Sequence, residues 1–184
     1  MADIKNTEPA YYTNRAIAYL KLSQFANARN DCKAALRIDE KFSKAYNRLS
    51  KCNIALGELA EASINLQKSI EIEPDNPVNK KDQKLLTDLK ITESLVHKAV
   101  KEENFDKAVT NLNELLKECR SSVDMICLKI ECMLKAFQFD EANKYSADIM
   151  KESDEWANHP RLLCWRGKVL YYNGNEVLGQ KHFK

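Results

Sequence analysis

Residues 11–40 read YYTNRAIAYLKLSQFANARNDCKAALRIDE, and residues 45–74 read AYNRLSKCNIALGELAEASINLQKSIEIEP. The two stretches repeat one arrangement of large and small residues with a spacing of 34. The pairs that share this spacing are Tyr12 and Tyr46, Leu22 and Leu56, Ser23 and Gly57, Phe25 and Leu59, Ala28 and Ala62, Leu36 and Ile70, and Ile38 and Ile72. Repetition at one fixed period predicts an array of similar structural units.

The same period returns later in the chain. Phe105 and Ala108 match Phe139 and Ala142 at an identical spacing. A last unit begins near Pro160, slightly later than the period requires, which predicts a longer turn at Trp156–Pro160. Its matching positions are Leu163, Gly167, Gly174, Gly179 and Phe183.

Each unit is expected to be a pair of antiparallel helices. The chain has only four glycines and four prolines in 184 residues and no strand-like alternation, so we expect an all-α fold. Small residues at 28, 62, 108 and 142 allow the second helix of a pair to cross the first closely. The predicted helices span 11–22, 25–38, 43–56, 59–72, 77–102, 105–119, 122–136, 139–152, 160–173 and 176–184. Since no pair buries its apolar stripe alone, neighbouring pairs must stack into a solenoid.

Composition and motifs argue against several classes of function. The net charge of +2 predicts no general attraction to nucleic acid, and no apolar run is long enough to cross a membrane. The three histidines are widely separated, and there is no glycine-rich phosphate loop, so we expect no catalysis. No cysteine or histidine pair has a metal-ligand spacing, so we expect neither metal nor cofactor, and six buried, reduced thiols.

A basic face is the candidate site. Lys44, Arg48 and Lys51 recur at i, i+4 and i+7 on the predicted helix 43–56, and Asn47 borders them. Asn14 and Lys21 hold comparable positions on helix 11–22. These six residues, called the basic face below, would suit a carboxylate-bearing extended peptide. The alternative from spacing alone is a solvated basic stripe without a ligand.

Residues 12–16 (YTNRA) and 44–48 (KAYNR) resemble the carboxylate-clamp tetratricopeptide-repeat (TPR) domains of co-chaperones. The resemblance implies a TPR superhelical solenoid. In that family, five residues bind the C-terminal Glu-Glu-Val-Asp tails of the 70- and 90-kDa heat-shock chaperones. Three of the five match Asn14, Lys44 and Arg48 of this chain. The other two, a lysine and an asparagine, belong to a preceding repeat that this sequence lacks.

The order of the elements resembles the TPR region of a J-domain co-chaperone with tandem TPR clusters. The segment RGKVLYYNGN at 166–175 extends this resemblance. The predicted organisation is the C-terminal part of a first, clamp-type cluster at 1–77, a long connecting helix at 78–103, and a second, truncated cluster at 104–184. His159-Pro160 is followed by Arg161, so it is not the His-Pro-Asp motif of a J domain.

The resemblance implies a non-enzymatic co-chaperone adaptor that binds chaperone tails. Without a signal peptide, we expect a cytoplasmic location, with the nucleus as a second possibility. The alternative function is a TPR scaffold for an unrelated protein or peptide. The second cluster has mixed charge at its inward positions, including Asp124 and Glu131. It is expected to be either a packing scaffold or a groove for a different, more apolar ligand.

Overall fold

The computed structural model describes residues 8–174, and all regular secondary structure in this range is helical. The helices are α1 Pro9–Lys21, α2 Phe25–Ile38, α3 Ser43–Leu56, α4 Leu59–Ile72, α5 Pro77–Lys101, α6 Phe105–Glu118, α7 Val123–Lys135, α8 Phe139–Glu152, α9 Asp154–Ala157 and α10 Pro160–Tyr172. The all-α prediction is therefore confirmed over this range. The predicted helix 176–184 lies outside the described residues.

Most helix boundaries match the sequence prediction closely. Proline occupies the first turn of α1 and α10, where its missing N–H would be unpaired in any case. The start of α5 is capped, since Asn76 Oδ1 accepts a hydrogen bond from the Val78 amide at 3.0 Å. The sequence prediction does not include the short helix α9. It occupies the longer turn, where the Ser153 hydroxyl accepts a hydrogen bond from the Trp156 amide at 3.2 Å.

The chain forms two compact units. The first comprises the described residues up to Ile91 together with Glu118–Ser122, and the second comprises Thr92–Lys117 and the residues from Val123 onward. Helix α5 contributes residues to both. The domain boundaries expected from the sequence, at 77 and 103, stay a prediction.

Helices pair through short turns in each unit. In the first unit α1 packs on α2, α3 packs on α4, and α3 also contacts α1 and α2. In the second unit α7 and α10 both pack on α8. The alanines predicted at the helix crossings, Ala28, Ala62, Ala108 and Ala142, are all fully buried. This burial agrees with a close approach of paired helices at one recurring position.

The turns that follow α1, α3, α5, α7 and α10 each contain one residue in the left-handed conformation. These residues are Ser23, Gly57, Glu103, Phe137 and Gly174, with φ between 54° and 78°. At the first four turns the next amide donates to a carbonyl five residues earlier, and these bonds are Gln24 to Tyr19, Glu58 to Asn53, Asn104 to Ala99, and Gln138 to Met133, at 2.8–2.9 Å. The bonds satisfy carbonyl groups that the ending helix leaves unpaired. They offset the ~1–2 kcal/mol that a left-handed conformation costs a residue with a side chain.

The cysteines differ from the prediction at one position. Five are buried as expected, but Cys164 is exposed on α10. Cys32 and Cys52 lie in the core of the first unit with Ala16, Ala28 and Leu49. Burial raises the pKa of Cys127 and that of Cys132 to about 11 each. The sequence did not predict that Cys164 is exposed, because exposed and buried faces of a helix can carry similar residues.

A larger residue at a helix crossing should separate the pair. We expect Ala28→Leu to lower the free energy of unfolding by about 1–3 kcal/mol, because the added carbons have no space between α1 and α2. Urea unfolding followed by circular dichroism measures this change. Ala26→Leu is the matched control, since Ala26 is exposed on the same helix. Equal effects of the two substitutions would contradict the close crossing.

The native protein should contain one fast-reacting thiol. At pH 8 we expect a chromogenic disulfide reagent to modify Cys164 at least ~10-fold faster than the other five cysteines, since the thiolate must be both accessible and formed. Cys164→Ser should remove the fast phase. A fast phase that survives this substitution would show that another cysteine is accessible.

Candidate functional site

Helix α3 presents the centre of the basic face. Ala45, Leu49 and Cys52 are buried and direct one side of α3 into the core. Lys44 is therefore exposed, and Arg48 and Lys51 are half-buried. The contact of α3 with α1 brings the two helices that carry the basic face next to each other.

Arg48 is a partly buried cation without an acidic partner. Its Nη1 donates to the carbonyl oxygen of Lys44 at 3.2 Å, and its Nε is buried without a hydrogen-bond partner among the described residues. Burial lowers the pKa of Arg48, and the neighbouring Cys32 opposes this shift. No described carboxylate pairs with Lys44 or Arg48. The two side chains therefore carry positive charge that the described part of the chain does not neutralise.

Two other arginines of the first unit have carboxylate partners. Arg15 donates from Nε and Nη2 to the two carboxylate oxygens of the buried Asp31, both at 2.7 Å. The hydrogen bond with Asp31 raises the pKa of Arg15 above its usual range. Arg29 pairs with Glu58 at 2.5 Å and donates to Asn53 at 3.2 Å. Arg48 differs from both because no described carboxylate lies within ion-pair distance of it.

Two residues predicted for the basic face are already engaged by α5. Asp82 Oδ2 accepts from Asn47 Nδ2 at 2.8 Å and lies 3.1 Å from Lys51 Nζ. Asn47 Nδ2 also donates to Asn79 Oδ1 at 3.2 Å. Sequence reasoning missed Asp82, although the period could have found it. Asp82 follows Arg48 by one full repeat period, as Arg48 follows Asn14.

The two residues predicted on α1 are exposed. Asn14 lies in the middle of α1, beside the Arg15 that pairs with Asp31. Lys21 is the last residue of α1. The structure thus divides the predicted basic face into available side chains, Asn14, Lys21, Lys44 and Arg48, and engaged ones, Asn47 and Lys51.

Two acidic side chains of the second unit pair with basic ones, whereas the described partners of Arg166 are neutral. Asp124 pairs with Arg161, and Glu131 lies 2.8 Å from Lys135 Nζ. Arg166 Nη1 donates to the side chains of Asn143 and Ser146 at 2.7 and 2.9 Å. Mixed charges that pair with each other leave little attraction for a ligand carboxylate. Between residues 8 and 174, no group of three or more His, Cys, Asp or Glu side chains is arranged for a metal ion. None of the described helices is both long and apolar enough to cross a membrane.

An uncompensated cation should contribute little to stability. We expect Arg48→Met to leave the free energy of unfolding within about 0.5 kcal/mol of the wild type, or to raise it. Arg15→Met is the matched comparison, and should lower it by about 1–3 kcal/mol because Asp31 loses its hydrogen-bond donors. Urea unfolding measures both variants. A larger loss for Arg48→Met than for Arg15→Met would show that Arg48 is structural.

Comparisons with known proteins agree with this architecture. The tetratricopeptide-repeat family model matches residues 9–42 and 43–76. DnaJ homolog subfamily C member 7 homolog of Dictyostelium discoideum is 25% identical over 181 residues, which are 97% of this chain and 33% of that protein. Heat shock protein STI1 of Saccharomyces cerevisiae is 38% identical over 69 residues, which are 38% of this chain and 12% of that protein.

A solved structure supports the fold. The crystal structure of the P58(IPK) TPR domain superposes with a TM-score of 0.79 at 18% identity, over 98% of this chain and 50% of that one. The chain thus spans about a third of the length of its DnaJ relative and half of this structural neighbour. Residues 9–76 are tetratricopeptide repeats, and the described residues have a TPR fold similar to that of the TPR region of a J-domain co-chaperone.

Proposed function

We propose that the chain is a non-enzymatic co-chaperone adaptor that binds the C-terminal Glu-Glu-Val-Asp tails of 70- and 90-kDa heat-shock chaperones. Arg48 is the observation that carries this proposal. It is half-buried, has an unpartnered Nε, and lies one helical turn from the exposed Lys44. A half-buried guanidinium with an unpartnered Nε can form charge-assisted hydrogen bonds with a carboxylate of the ligand.

The roles of the available side chains follow from their chemistry. Arg48 would bind a carboxylate through its guanidinium, and Lys44 would add a second positive charge close by. Asn14 on the adjacent helix can donate from its amide to a carboxylate or to the peptide backbone. Similarity to a DnaJ homolog and to a heat shock protein supports a chaperone as the partner. The location proposed for this adaptor is the cytoplasm, with the nucleus as a second site.

Binding should be modest and sensitive to salt. The basic face offers only a few charges, all partly in contact with solvent, and salt screens charges in that setting. The competing proposal is a scaffold that binds a different partner through the same face. The two proposals differ in whether a free C-terminal carboxylate is required.

Fluorescence polarisation with a labelled peptide that ends in Glu-Glu-Val-Asp tests the proposal. We expect saturable binding that falls at least ~10-fold with the C-terminal amide, or with Lys44→Ala/Arg48→Ala, because each change removes charge-assisted hydrogen bonds.

Lys33→Ala/Arg37→Ala is the matched control for this experiment. These exposed residues have the same spacing on α2, and Arg37 Nε donates to the Lys33 carbonyl at 3.5 Å. The control should retain wild-type affinity. Equal affinity for the acid and the amide peptides would favour the scaffold. Equal losses of affinity in the two double variants would show that the effect depends only on net charge.

A further inference from the structure

Asp82 is a carboxylate of the chain itself that lies against the basic face. Its side chain is only 11% exposed, whereas that of its partner Lys51 is 42% exposed. The carboxylate is therefore the fixed member of the pair, and the ammonium group reaches it from the solvent side. Asn47 donates to the same carboxylate oxygen, so one oxygen of Asp82 holds two residues of the basic face.

A buried hydrogen-bond network holds this part of α5 in position. Asn79, one turn before Asp82, is 1% exposed. Its Oδ1 accepts from Asn47 Nδ2 at 3.2 Å and from Ser69 Oγ at 3.1 Å, and its Nδ2 donates to the Glu73 carbonyl at 3.3 Å. Ser69 is in turn hydrogen-bonded to Ser43 at the start of α3. Asp82 thus meets α3 in a fixed register and cannot readily move away from an incoming ligand.

The same repeat position carries a different charge on each of the helices α1, α3 and α5. Asn14 on α1, Arg48 on α3 and Asp82 on α5 follow one another at intervals of one repeat period. The position therefore changes from neutral to positive to negative across the face. A ligand carboxylate is attracted at Arg48 and repelled near Asp82, because like charges at short distance destabilise a complex.

We infer that Asp82 is a specificity-determining residue: it admits peptide carboxylates at Lys44 and Arg48 and disfavours an acidic peptide residue beside Lys51. The peptide residue that lies beside Lys51, on the α5 side of the bound acidic end, is accordingly neutral or basic. This inference rests on the proposed peptide-binding function of the basic face. Asp82 adds a repulsive element that limits where an acidic residue of the peptide can bind on the basic face.

The test uses a series of peptides derived from one that ends in Glu-Glu-Val-Asp. In the series, each residue before the terminal Val-Asp is in turn Glu or Gln. Each peptide is titrated against the wild type, Asp82→Asn and Asp82→Asn/Lys51→Met. At one peptide position the wild type should bind Gln at least as well as Glu. Asp82→Asn should prefer Glu there by about two- to fivefold, the range expected for one partly exposed ion pair. The double variant should lose that preference, because Lys51 supplies the attraction.

Asp75→Asn is the matched control. Asp75 is exposed in the same unit and lies 3.9 Å from Lys80 Nζ, so this variant makes the same change in net charge away from α3. It should leave the Glu/Gln preferences at wild-type values. Thermal unfolding of each variant confirms that the protein tested is folded, and asparagine at 82 keeps an acceptor for Asn47.

The outcomes separate this inference from the proposed function. A Glu/Gln preference that does not change in Asp82→Asn, or changes equally in Asp75→Asn, overturns the role of Asp82 even if the tail binds. A preference that changes as expected while the acid and amide peptides bind equally supports Asp82 and rejects recognition of a free C-terminus. Absence of binding to both the wild type and Asp82→Asn overturns both.

Discussion

The close crossing of paired helices at a buried alanine is the constraint on which the rest of the structure depends. With Ala28 and Ala62 fully buried at the crossings, the apolar stripe of each helix is covered by its partner and by the next pair. One side of α3 must then point into the core, and the other is left for polar and charged residues. The position of Lys44 and Arg48 on the outward side is thus a consequence of packing.

Charge compensation decides which of those residues can bind a ligand. Arg15 and Arg29 join neighbouring helices through carboxylates, and Lys51 does the same through Asp82. These pairs hold helices in register, and their basic side chains already have carboxylate partners within the fold. Arg48 is partly buried without such a partner. A partly buried cation without a described carboxylate partner in the fold is a candidate for binding an acidic ligand.

The sequence predicted the fold well because the repeat signal is carried by side-chain size, which the period of 34 makes visible. It predicted most helix boundaries closely, but not α9, whose short sequence shows no periodicity. For the site, helical spacing grouped Lys44, Arg48 and Lys51 but could not show that Lys51 has a partner on α5 in Asp82. The exposure of Cys164 was missed for a related reason, because accessibility depends on which neighbours cover a helix.

The left-handed residues in the turns affect how the array unfolds. Ser23, Glu103 and Phe137 adopt this conformation without being glycine, so the geometry of these turns is imposed by the helices around them. The free-energy cost of each such turn is offset by its hydrogen bond to a carbonyl five residues earlier, so the turn keeps its geometry only while the preceding helix is formed. Because no pair buries its apolar stripe alone, neighbouring pairs within a unit should open together.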